Sequence, residues 1–80
     1  MKEYIATFHT HLSALLTSRS LTELGLKAQM MPVPRKLSAS CGTCVRYFAD
    51  DPTLSAMDED VEAVYEKTDS DSYMLLMDAE

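Results

Sequence analysis

The stretch 51-DPTLSAMDEDVEAV-64 decides the fold. Asp51 before Pro52 reads as a helix start, with the aspartate as cap and the proline in the first helical position, where its missing N–H is no loss. Leu54, Met57, Val61 and Val64 then recur at three- and four-residue spacing, the stripe of a helix with one face toward a core. Read this way, the stretch is the second helix of a regular alternation.

The rest of the chain supplies the partners of that helix. Residues 4–8 predict a strand, with Tyr4, Ala6 and Phe8 on one face and Ile5 and Thr7 on the other. Thr10 is the expected N-cap of a helix over 11–24. Its inward stripe is Ala14, Thr17, Leu21 and Leu24, made imperfect by the polar Thr17. Gly25-Leu26 is a helix stop, the glycine taking the left-handed position and the leucine folding back. Residues 27–33 predict a second strand, and Pro32 assigns it to a sheet edge. Residues 35–40 read as a polar loop. Residues 43–48 predict a third strand, with Thr43, Val45 and Tyr47 on one face and Cys44, Arg46 and Phe48 on the other. A turn at 68–72 leads to a last strand over 73–77. The order strand, helix, strand, strand, helix, strand predicts an α+β, ferredoxin-like βαββαβ two-layer sandwich, an antiparallel sheet with two helices on one face. Residues 1–80 read as one domain.

Composition narrows the function classes. The 80 residues are 46% hydrophobic and 25% charged, a globular composition. A chain of this length buries roughly 60–65% of its unfolded surface, enough for one thin core and too little for a deep cavity between lobes. The net charge of -6 repels phosphate backbones and anionic lipid, so neither nucleic acid nor a membrane surface is an expected partner. The acidic runs Asp50-Asp51 and Asp58-Glu59-Asp60 read as a solvated helix face. The start of the chain shows no secretory signal, and no run approaches membrane-span length, so a cytoplasmic protein is expected. No Gly-rich phosphate loop, Ser-His-Asp order or paired carboxylates stand out, which argues against a conventional enzyme.

Both cysteines fall in Cys41-Gly42-Thr43-Cys44. In the expected topology the first and third strands are antiparallel neighbours. The end of the first strand, the start of the first helix and the start of the third strand therefore meet at one sheet edge. His9, Thr10, His11, the loop beginning at Arg35 and Cys41 should converge there. A helix N-terminus, an arginine or a protonated histidine each favours the thiolate, the nucleophilic form of cysteine. Gly42 leaves space beside the thiol. An extended Cys41–Cys44 segment would hold the two Cα atoms about 10 Å apart, beyond disulfide reach, so a disulfide needs a turn at Gly42-Thr43. This favours Cys41 as the working thiol with Cys44 as its candidate resolving partner. Two other readings stay open. The cysteines could be structural, since cysteine is among the most buried residue types. Alternatively, His9, His11, Cys41 and Cys44 could form a two-imidazole, two-thiolate metal set, although a polar strand end at His9 and a first-turn helix residue at His11 are the preferred reading and no metal or other cofactor is assigned.

The run Thr7-Phe8-His9, the helix with Ala14 and Leu21, the Gly25 stop, Pro32-Val33-Pro34-Arg35, and Ser38-x-Ser40-Cys41-Gly42 followed by Arg46 resemble a family of small bacterial proteins described as selenium/sulfur carrier-protein-like. The resemblance spans nearly the whole chain, and the Pro-x-Pro-Arg and Ser-Cys-Gly segments are its most specific parts. It implies one signature cysteine, which is Cys41 by motif match, flanked by Ser40 and Gly42, with Arg35 closing the proline motif. Cys44 departs from the family pattern, where a small or apolar residue is more typical. The resemblance implies a carrier whose Cys41 bears sulfur or selenium as a persulfide or perselenide, passed between a donor protein and an acceptor protein. An alternative of a different class is a non-catalytic interaction module that dimerises through its sheet face, with Ile5, Thr7, Arg46 and Phe48 presented and Ile5 and Phe48 as anchors.

Overall fold

The computed structural model describes residues 1–37 and 41–79. Its elements are β1 (Lys2–Phe8), α1 (His11–Glu23), β2 (Lys27–Pro32), β3 (Thr43–Ala49), β4 (Val61–Asp69) and β5 (Ser72–Asp78), with a 3-10 turn at Leu54–Ala56. The strands form one antiparallel sheet in the order β2-β3-β1-β4-β5. The α+β class, the antiparallel pairing of β1 with β3 and the edge position of β2 match the expectation. The second helix does not. Among the described residues α1 is the one α-helix, so the ferredoxin-like arrangement with two helices is corrected to β-α-β-β-β-β.

The correction lies in residues 51–64. The Asp51 carboxylate does accept a hydrogen bond from a following amide, that of Thr53, at 2.8 Å. Thr53, however, sits at φ 53, in the left-handed region, and stops a helix before it starts. Leu54–Ala56 makes one 3-10 turn, and Val61 opens a nine-residue strand paired on both sides. Val61, Val64, Tyr65 and Thr68 are strand-favouring residue types. Ala63 and Val64 are adjacent, point to opposite faces and are both buried. A strand covered on both faces loses its alternation, which let a 3-4 spacing mimic a helix.

The core lies between α1 and one sheet face. Tyr4, Ala6 and Phe8 of β1 share that face with Val45, Tyr47 and Ala49 of β3 and Val64 of β4, and Ala14 and Leu21 of α1 pack on them. Tyr4 and Tyr47 stack with ring centroids 5.3 Å apart, and the Tyr47 hydroxyl donates to the Pro52 carbonyl. Thr10 caps α1 by accepting the Ser13 amide at 3.2 Å. At the other end Gly25 takes φ +84, its amide reaches the Thr22 carbonyl, and the Leu26 amide reaches back to Leu21. This is the Schellman pattern, and it returns Leu26 to the core. Leu24, expected in the inward stripe, is instead the exposed C-cap residue.

The other face of the sheet is covered as well. Lys36 Nζ lies 2.9 Å from the Asp71 carboxylate and donates to the Asp71 carbonyl at 2.7 Å. Asp71 belongs to the β4–β5 turn, at the edge and the end of the sheet opposite to Pro32. The segment 33–37, called the strap, is folded back by the Leu37 amide on the Pro34 carbonyl. On the sheet face away from α1, called the strap side, Ile5, Thr7 and Cys44 are fully buried. The expected docking face is therefore corrected: Ile5 and Thr7 are not presented. Arg46 is drawn onto Glu3 at 2.6 Å and lies 5.0 Å over the Phe48 ring.

Candidate functional site

Three chain segments meet where β1 ends. Cys41 precedes β3, and its thiol donates to the Phe8 carbonyl at 3.3 Å and to the Thr43 carbonyl at 3.5 Å. It is half-buried and free. Gly42, at φ +72, turns the chain from Cys41 into β3, a conformation that residues with a Cβ rarely adopt. A Cβ there would meet nothing within 4 Å, so backbone angle and not crowding makes glycine the fitting residue. The Gly42 carbonyl accepts the Val33 amide, which closes the base of the strap.

The two histidines flank this end. His11 opens α1 and its Nδ1 lies 3.4 Å from Thr43 Oγ1. His9 Nδ1 lies 3.4 Å from the Glu62 carboxylate, and its amide donates to the Asp60 carbonyl. The convergence of β1's end, α1's start and Cys41 is as the topology predicts. Arg35 is exposed, and no hydrogen bond joins it to Cys41. Its neighbour Lys36 is held at the β4–β5 turn. Ser40 lies outside the described residues. His9, His11, Cys41 and Cys44 are not gathered: among the described residues no group of three or more His, Cys, Asp or Glu side chains is placed to hold a metal ion.

The acidic run 58–60 has a role that sequence reading missed. Asp58 accepts a hydrogen bond from Ser13 Oγ at 2.6 Å and from the Asp60 amide, while its own amide donates to Thr17 Oγ1 at 2.9 Å. The Asp60 carboxylate accepts from Thr10 Oγ1 at 3.1 Å. Two carboxylates thus sit at the N-terminus of α1, where the helix dipole favours negative charge. The available signal was three polar positions on the helix, Thr10, Ser13 and Thr17, at three- and four-residue spacing.

Cys44 differs sharply from Cys41. It is fully buried on the strap side of β3, and its thiol donates to the Pro32 carbonyl at 3.7 Å. Burial, then repulsion from Cys41, pushes its pKa up to about 11. At neutral pH that leaves about one thiolate in ten thousand. The paired site therefore offers one accessible thiol and one protected thiol.

Fold and site define a small α+β domain with an accessible cysteine at one end of its sheet. The family model described as "Putative Se/S carrier protein-like" matches residues 3–66, and the chain belongs to that family. An uncharacterised Escherichia coli K12 protein, YtiA, is 31% identical over 45 residues, 56% of this chain. The matched part spans about half the length of that relative, 53%. No solved structure matches the chain. No helix among the described residues is long and apolar enough to cross a membrane.

Proposed function

We propose that the protein carries sulfur or selenium on Cys41. The observation that supports this most is the division between the two thiols: Cys41 is half-buried at a sheet end, and Cys44 is sealed and held protonated. Loading is a transfer without net oxidation. The Cys41 thiolate attacks the outer sulfur of a donor protein's persulfide. The donor's S–S bond breaks, the donor cysteine leaves as thiolate, and Cys41 holds Cys–S–SH. Selenium follows the same steps as Cys–S–SeH. His9 and His11, when protonated, supply positive charge beside the attacking and leaving sulfur anions. Gly42 keeps the approach to Cys41 open.

Unloading has two routes. An acceptor protein's thiolate attacks the outer atom and Cys41 leaves as thiolate. Alternatively, the Cys44 thiolate attacks Cys41 Sγ, closing a disulfide and expelling hydrosulfide, which makes Cys44 the resolving thiol. The second route needs a thiolate that burial opposes, so direct transfer is the faster exit at neutral pH. Arg35 and Ser40 keep their proposed role as groups that support the thiol.

Incubation with a cysteine desulfurase and cysteine, followed by intact-protein and peptide mass spectrometry, tests the reading. A sulfur adduct of about 32 Da on the Cys41 peptide is expected. An adduct that survives Cys41→Ser, or its absence from the native protein, removes the assignment.

A further inference from the structure

Toward the end of β3 that lies away from Cys41, Lys27, Ala28, Gln29, Arg46 and Phe48 line a pocket of about 200 Å³. Lys27 stands opposite Phe48 and Gln29 opposite Arg46 in the β2–β3 pair, so these four side chains share the sheet face away from α1. Arg46 Nε donates to the Glu3 carboxylate at 2.6 Å, and the guanidinium lies 5.0 Å over the Phe48 ring. Two contacts thus hold the guanidinium in place. Its side chain is still 38% exposed, and its terminal nitrogens make no hydrogen bond among the described residues. Lys27 and Gln29 are exposed, and among the described residues their side chains make neither a hydrogen bond nor an ion pair. Lys67 Nζ lies 3.8 Å from the same Glu3 carboxylate. Lys27, Arg46 and Lys67 therefore share this patch with one carboxylate, a local excess of positive charge in a chain of net charge -6.

We propose that this pocket binds an organic carboxylate, presented by a free small acid or by the C-terminus of a peptide. With Nε taken by Glu3, the two terminal nitrogens of Arg46 remain to hold a second carboxylate end-on through two parallel N–H···O bonds. Two carboxylates on one guanidinium repel each other. Lys67 beside Glu3 and Lys27 at the pocket offset that repulsion. The Gln29 amide supplies a further donor, and Phe48 and Ala28 suit a short carbon chain behind the carboxylate. A phosphate site commonly gathers backbone N–H groups at a helix start or in a nest of turns. This pocket is built on two strands, with one planar fork over a ring, and that shape matches a planar carboxylate. Because Arg46 is fixed before any ligand arrives, little ordering remains to be done on binding. The site shares no residue with the thiol site, so it stands whether or not Cys41 carries sulfur.

Amide-resolved NMR titration of the native protein tests this, with sodium acetate, acetyl-trialanine and acetyl-trialanine amide as probes and sodium chloride and sodium phosphate at matched ionic strength as controls. Saturating shifts centred on residues 27–29 and 46–48 are expected with acetate or with the peptide acid. Acetate binding at least as tightly as the peptide acid assigns a free small acid, and tighter binding of the peptide acid assigns a chain terminus. Arg46→Lys keeps a positive charge beside Glu3 but loses the fork, and should weaken binding at least about tenfold. Lys27→Glu sets a like charge at the pocket from an exposed position, and should also weaken it at least about tenfold. If Arg46→Lys does not fold, Lys27→Glu decides. Shifts that do not saturate, that match those of chloride or of the peptide amide, or that saturate at lower concentration with phosphate overturn the proposal. So does a Lys27→Glu variant that binds the carboxylates as the native protein does.

Discussion

At the scale of single residues, three positions separate two cysteines into opposite chemical states. The left-handed Gly42 turns Cys41 to the end of β1, while the strand that follows takes Cys44 into the buried sheet face away from α1. The Cys-x-x-Cys spacing announced the pair, but spacing carries no information about burial. What sequence reading did supply was location, because a strand order alone fixes which ends meet. It placed the end of β1, the start of α1 and the start of β3 at one end of the sheet, and the contacts of Cys41 with Phe8 and of His11 with Thr43 join those segments. It also placed Arg35 there, and gave no sign that the neighbouring Lys36 pairs with Asp71. The difference should be visible in alkylation read separately on each cysteine peptide. Cys41 is expected to label first and Cys44 at least about tenfold more slowly at neutral pH, its rate climbing as pH passes about 9 toward 11. Equal rates at neutral pH would remove the division of roles on which the carrier reading leans.

Among the elements, β2 was legible from its alternation and α1 from its caps, while β1 and β3, buried on both faces, were legible as short runs of aromatic and β-branched residues. Thr10 and Gly25 set the limits of α1 through hydrogen bonds that the residue types require. β4 was illegible for a physical reason. It lies inside a five-strand sheet with α1 over one face and the strap side buried too, so apolar residues fall on both faces and imitate a helical stripe. The acids before it were equally misread. They looked like a solvated face, yet Asp58 ties α1 to the loop between β3 and β4 through Ser13 and Thr17, both buried. Asp58→Ala leaves the Ser13 hydroxyl without its acceptor and should cost about 1–3 kcal/mol of stability. Asp58→Asn retains an acceptor oxygen and should cost less. Urea unfolding of the two variants measures this. Two variants within a few tenths of a kcal/mol of the native protein would show that the loop holds its place without the aspartate.

For the molecule as a whole, the sheet is a layer sealed on both sides, and titratable groups are trapped within it. Cys44 and Tyr47 are fully buried on opposite faces of β3, and burial raises the pKa of each. Both are neutral when protonated, so the folded state holds their protons to higher pH than the unfolded chain does. Below the unfolded thiol value of 9.0 the Cys44 contribution to stability is fully present, and it is lost as pH rises through about 11. A shift of this size corresponds to about 2–3 kcal/mol over that window. Tyr47 extends the loss upward from its unfolded value of 10.0. Thermal melts under reductant should therefore show a melting temperature that is nearly flat to about pH 9 and then falls steeply. Cys44→Ala, although less stable at neutral pH from the small cavity it leaves, should show a shallower fall between pH 9 and 11. The comparison of slopes separates the trapped thiol from the general alkaline loss shared by both proteins. Parallel curves across that window would mean that Cys44 ionises in the folded state as readily as in the unfolded one. The strap side would then be wet, and Cys44 would become as available for attack on Cys41 as any exposed thiol.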